Sequence, residues 1–181
     1  MTRQSLHFTM LVLGVTASFA CSLITPGVPN ETAADRPPAE LAVDISPAPE
    51  SFALVTPHPS EGALQDLLTA HALRAIQAGR KPFVEFSADW CPPCVALARS
   101  LGDPRMVDAF QGTYIIRLDF DEWESRLPGS GFRVVGVPVF FEINAEGKPT
   151  GRMITGAAWG ADIPENMAPV LQAFFRGSAS P

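Results

Sequence analysis

From residue 61 onward the apolar positions recur with periods that alternate between helix and strand. Leu64, Leu67, Leu68, His71, Ala75 and Ile76 fall on one helical face, with Ser60 placed to cap the helix and Gly79 and Pro82 to end it. The run P-F-V-E-F-S-A (82–88) reads as a buried strand, and C-V-A-L-A-R-S-L (94–101) as a helix. Asp103-Pro104 pairs a capping side chain with proline at the first helical position, predicting a short helix through Phe110. T-Y-I-I-R-L-D-F (113–120) is a second strand, followed by a polar, turn-rich stretch with one helical turn around 122–127. V-P-V-F-F-E-I-N, the turn A-E-G-K and T-G-R-M-I-T predict an antiparallel pair. Residues 162–175 predict a last helix, with Pro169 breaking or kinking it. The order specifies an α/β domain over 61–178, a central sheet covered by helices.

Upstream the pattern changes twice. One positive charge, Arg3, precedes an almost continuous apolar run over 6–20, with Ser18 and Ala20 as small residues before Cys21. This is a secretory signal pattern over 1–20. Cys21 directly after the cut adds the reading of a bacterial lipoprotein, in which the lipidated thiol is the mature N-terminus. An ordinary cleaved signal and an uncleaved anchor are the alternatives. All three place the rest of the chain outside the cytoplasm, and the expectation is a periplasmic protein tethered by lipid. Residues 22–60 hold eight of the chain's 18 prolines and no helical or strand period. They predict an extended, flexible tether, with a short strand at 41–45 as the alternative.

Composition narrows the partners. The 181 residues carry 19 acidic against 13 basic side chains, a net charge of −6. Nucleic-acid binding needs a basic face and is not expected. The three cysteines are an odd number, with Cys21 far from the other two.

Those two sit in A-D-W-C-P-P-C-V (88–95). A strand ends just before Cys91 and a helix begins with the prolines, so Cys91 falls at the helix cap and Cys94 in the first turn. Unpaired N–H groups and the helix dipole at such a position favour the thiolate that disulfide exchange needs. Cys91 is therefore expected to be the more exposed, attacking thiol and Cys94 the buried, resolving one. Pro92 and Pro93 carry no N–H, which removes two donors from the Cys91 thiolate. Oxidising power comes from stabilising the reduced form, so this redox loop points to a reductase or isomerase before an oxidase. Zinc would want four Cys or His ligands, and the domain adds only His58 and His71, so no metal is expected. His71 is read as a packed side chain. A structural staple is the remaining alternative, but so small a loop removes little unfolded-state entropy.

With F-x-A-D-W-C-x-x-C after a buried strand, Val137-Pro138 some forty residues on, and a closing hairpin, the chain over about 61–176 resembles the thioredoxin superfamily. Within it, A-D-W-C and D-P-R-M-V-D-A-F are most similar to the thioredoxin-like domains of membrane thiol:disulfide interchange proteins. The resemblance implies a thioredoxin-like fold with a central mixed sheet. It also implies Cys91 as nucleophile, Cys94 as resolving thiol, and Trp90 as an aromatic shelf. Val137 and Pro138 would form the cis-proline loop that holds an extended substrate. It makes Glu85 a buried acid beneath the thiols, able to take the Cys94 proton. Arg117 stands where the family's partner lysine does, and an arginine cannot relay a proton. Val95 and Val139 also depart from the family. Trp123 and the glycines of 123–132 are read as a surface loop, with a part in partner choice as the alternative, and Trp159 as either rim or core.

The expected function is an extracytoplasmic thiol–disulfide oxidoreductase that reduces protein disulfides. Its only redox group would be the Cys91–Cys94 disulfide, with no other cofactor. Electrons would come from a separate membrane donor. A binding or assembly module with a permanently closed disulfide is the alternative.

Overall fold

The computed structural model describes residues 51–178. The signal stretch, Cys21 and the tether as far as residue 50 lie outside the described residues.

Strand β1 (Ala53–Val55) is followed by helix α1 (Leu64–Gln77), β2 (Lys81–Ser87), α2 (Pro92–Ser100), α3 (Pro104–Phe110) and β3 (Thr113–Asp119). The chain continues through α4 (Phe120–Trp123), β4 (Val139–Ile143), β5 (Pro149–Thr155) and α5 (Pro164–Arg176). The sheet order is β1-β3-β2-β4-β5. The first three strands are parallel, while β4 runs antiparallel to β2 and β5 antiparallel to β4.

Alternation along β2 divides the core. Val84 and Phe86 point to one face, where Leu64, Leu68, Ala72 and Ala75 of α1 cover them. Phe83 points to the other, joining Leu97 of α2, Phe110 of α3 and Leu171, Phe174 and Phe175 of α5. Each fully buried Phe or Leu contributes about 1.5–3 kcal/mol, so both layers hold the sheet. The hairpin after β4 docks on α1, where the Glu146 carbonyl accepts from Thr69 Oγ1 at 3.0 Å. A Cβ on Gly147 would come within 2.8 Å of the Leu68 backbone, and its φ of +72° also favours glycine.

The sequence expectations hold for α2, α3 and β2–β5, and fail in four places. First, the domain starts before residue 61. Residues 53–55 are a strand and not flexible tether, because they extend the edge of β3 in register while Phe52 packs on Phe110 with ring centroids 5.1 Å apart. Second, Ser60 does not cap α1. It lies in a 3-10 turn, Pro59–Glu61, closed by a 2.6 Å bond from the His58 amide to Glu61 Oε1, and Ala63 is the N-cap. Third, Ile76 leaves the buried face of α1 and is exposed, and Pro82 lies inside β2. Fourth, Pro169 lies inside α5 and does not break it. The amide that proline lacks would have bonded the Glu165 carbonyl in the first turn, and Glu165 is exposed, so water can satisfy it. Among the described residues no helix is long and apolar enough to cross a membrane.

Candidate active site

Cys91 and Cys94 are joined in a disulfide with Cα atoms 5.3 Å apart. Cys91 is the N-cap of α2, in extended backbone geometry. With proline at the first two helical positions, the first amide able to donate is that of Cys94, and it donates to Cys91 Sγ at 3.3 Å. The peptide bond between Val137 and Pro138 is cis. It brings the Val137 carbonyl oxygen to 3.4 Å from Cys91 Sγ.

The two cysteines are equally enclosed, 3% and 2% exposed. The expected difference between an exposed Cys91 and a buried Cys94 is absent, because Phe120 and Val137 pack against the cluster that the two cysteines form with Ala88. Trp90 beside them is 62% exposed, and its indole N–H donates to Asp121 Oδ2 at 2.8 Å. Two cavities adjoin the redox loop. One of about 420 Å³ is lined by Pro93, Val135, Val137, Pro138 and Gly156. The other, about 350 Å³, is lined by Ser87, Cys94, Arg99 and Arg117.

Glu85 lies on the same face of β2 as Phe83, the face that α2 covers, and is fully buried. Its register partner on β3 is Arg117, whose Nε donates to Glu85 Oε2 at 3.0 Å. The other carboxylate oxygen and Arg117 Nη2 are buried with no partner among the described residues. Burial raises the Glu85 carboxyl above its ordinary value, and the charge and hydrogen bond of Arg117 only partly offset this. The structure thus brings Glu85, Arg117, Trp90, the cysteines, Pro93 and the Val137-Pro138 loop to one end of the sheet. Pro92 is exposed at the start of α2.

Other residues lie elsewhere than expected. Trp123 is no loop residue but is fully buried in the α1 layer, where its indole donates to the Pro57 carbonyl at 3.3 Å. Trp159 belongs to the opposite core and donates to Asp162 Oδ1 at 2.9 Å. His71 is half-buried, with Nδ1 2.9 Å from the Tyr114 hydroxyl. Sequence reasoning missed Asp121 and Phe120. The signal for Asp121 was the cluster D-F-D-E that begins at the last residue of β3, which carries an acid past the same end of the sheet at which parallel β2 leads to Cys91.

Five strands in this order, with the disulfide at the C-terminal end of β2 and a cis-proline loop against it, define a thioredoxin-like domain. Residues 64–145 match the family described as Thioredoxin-like. The thiol:disulfide interchange protein TxlA of Synechococcus elongatus is 33% identical over 84 residues, which cover 42% of this chain and 40% of that protein. The chain therefore spans well under half the length of that relative. Among solved structures, a disulphide isomerase from Xylella fastidiosa Temecula1 aligns at 17% identity and a TM-score of 0.49, covering 68% of this chain and 96% of that one. A thioredoxin of Trichomonas vaginalis aligns at 25% identity and a TM-score of 0.41, covering 57% and 86%.

Proposed function

We propose that the chain is an extracytoplasmic thiol–disulfide oxidoreductase that reduces protein disulfides. The observation that carries the reading is Cys91 Sγ at the cap of α2, bonded to Cys94 and facing the Val137-Pro138 loop. In its reduced form, the Cys91 thiolate attacks a substrate disulfide, forming a mixed disulfide and releasing one substrate thiolate, which takes a proton. Cys94, deprotonated, then attacks Cys91 Sγ. The Cys91–Cys94 disulfide forms and the second substrate thiol leaves. Two electrons pass to the substrate, and a dithiol donor must return them. Glu85, buried under α2 with its pKa raised, is the group suited to take the Cys94 proton. Arg117 holds that carboxyl but cannot relay its proton.

Two features support the reductive direction. Pro92 and Pro93 offer no N–H to Cys91. The Val137 carbonyl directs lone pairs at the sulfur, where they favour a thiol over a thiolate. A weakly stabilised thiolate makes a poor oxidant. The periplasmic setting, the lipid tether at Cys21 and a separate membrane electron donor belong to the same proposal and rest on the N-terminal sequence pattern.

Equilibration of the full chain with glutathione or dithiothreitol buffers tests the direction. A potential near −270 mV is the expected outcome, and one near −120 mV would make the protein an oxidant. The burial of both sulfurs favours a second reading, a binding module with a closed disulfide. In that case Cys94→Ser traps no covalent partner and Cys91→Ser changes no binding.

A further inference from the structure

We infer that the groove past the disulfide extends into a second, apolar cavity that selects substrates by a bulky apolar side chain a few residues from their cysteine. The inference rests on the redox reading for the presence of a substrate cysteine, and on the following geometry for the rest.

A cavity of about 670 Å³ is lined by Phe120, Leu127, Phe132, Val134 and Val135, with Glu124 and Arg133 also on its wall. It adjoins the site at two points. Phe120, which lines it, also packs against the small cluster of Ala88, Cys91 and Cys94. Val135, which lines it, also lines the cavity that holds Pro93 and Pro138. Val135 is 84% exposed, so a large apolar side chain stands in water on the ridge between the two cavities.

The ridge has free backbone. Val134, Val135 and Gly136 lie outside every strand, and none of the described residues bonds their N–H or C=O groups. An extended chain whose cysteine lies at Cys91 passes Val137 and can pair with this segment, since exposed main-chain edges accept added strands. Strand rise is about 3.3 Å per residue. Two to four positions thus span roughly 7–13 Å, and side chains in that range from the substrate cysteine are the ones placed to enter the adjoining Phe120–Phe132 cavity.

The cavity is preformed. Buried Trp123 and Phe132 anchor the two ends of the segment that walls it. Between them Ser130 Oγ donates to the Leu127 carbonyl at 2.7 Å, and Gly131 takes a φ of +95° that closes the turn. A wall held in place by these contacts loses little entropy on filling. The occupant is thus an extended polypeptide segment with Leu, Ile, Phe or Met near its cysteine.

The test uses the oxidised full chain and fluorescein-labelled decapeptides in which Ser replaces the cysteine, so that no exchange occurs. One set carries Leu two, three or four positions away on either side, and a matched set carries Ser there. Fluorescence anisotropy should show at least one Leu peptide bound about tenfold tighter than its Ser match, the discrimination an apolar pocket gives. Val135→Asp should abolish that difference. Leu73→Asp, the same change at an exposed apolar residue of α1, should leave it intact. Equal binding of the Leu and Ser peptides, or no binding, overturns the inference, as does selectivity that survives Val135→Asp. Turnover of hydroxyethyl disulfide, measured alongside, tests the redox reading separately. Selective binding without turnover would sink the enzyme and leave the cavity's role, and turnover without selective binding would do the reverse.

Discussion

The Cys94 amide donates to the Cys91 sulfur at 3.3 Å, and it is the first amide of α2 that can. Restoring one earlier donor should change the chemistry. Pro93→Ala is expected to lower the Cys91 pKa and raise the reduction potential by on the order of 30 mV, about tenfold in the exchange equilibrium. Alkylation rates against pH give the first quantity and glutathione equilibration the second. If neither moves, the two prolines do not set the redox direction.

The Glu85–Arg117 pair should make stability depend on pH in a stated direction. Burial raises the Glu85 carboxyl above its ordinary value of 4.5, so the folded state holds the proton more tightly than the unfolded chain. The resulting stabilisation is complete below that ordinary value and is lost as pH rises through the raised one. Glu85→Gln carries no such loss. Urea unfolding of the oxidised protein from pH 4 to 8 should show the variant's stability rising relative to wild type as pH increases. Parallel profiles would show that Arg117 fully compensates the charge.

Two tryptophans should separate stability from the site. Trp123 is fully buried and Trp90 is 62% exposed. Trp123→Ala is expected to cost about 3–5 kcal/mol, as core aromatic truncations do. Trp90→Ala should stay within about 0.5 kcal/mol, the range of surface substitutions, while slowing reduction of protein substrates. Denaturant midpoints and a turnover assay on the two variants are sufficient.

His58 clips the segment before α1 to α4, with its Nδ1 3.0 Å from Glu122 Oε2. A hydrogen bond and then the charge of Glu122 raise the His58 pKa above its ordinary value. The contact's contribution is therefore full below pH 6.5 and is lost as pH rises through the raised value. Amide exchange around residues 56–62 should quicken on going from pH 6 to pH 8.5 more than base catalysis alone requires. His58→Ala should show no such excess.

Local signals in the chain carried most of the framework. Asp103-Pro104 announces α3 because a capping oxygen and a proline at the first helical position act within one turn, and Asp103 Oδ1 accepts from the Arg105 amide at 2.9 Å. Cys91 was legible as a cap for the same reason. What the sequence hid depends on distant contacts. The three residues of β1 sit among prolines and become a strand only through β3. Trp123 lies in a polar stretch and is buried because the Pro57 carbonyl and the α1 layer meet it. The equal burial of the two cysteines comes from Phe120 and Val137, which no local pattern links to them.

The two open edges of the sheet have a consequence for crowding. β1 is three residues long, and β5 begins at Pro149, carries Gly151 and pairs with β4 through a register shift between Phe141 and Ile143. Short, proline-started and irregular edges are poor templates for strand addition between copies. Copies of the domain at high local concentration would thus stay separate, with the backbone of residues 134–136 left unpaired by the described residues.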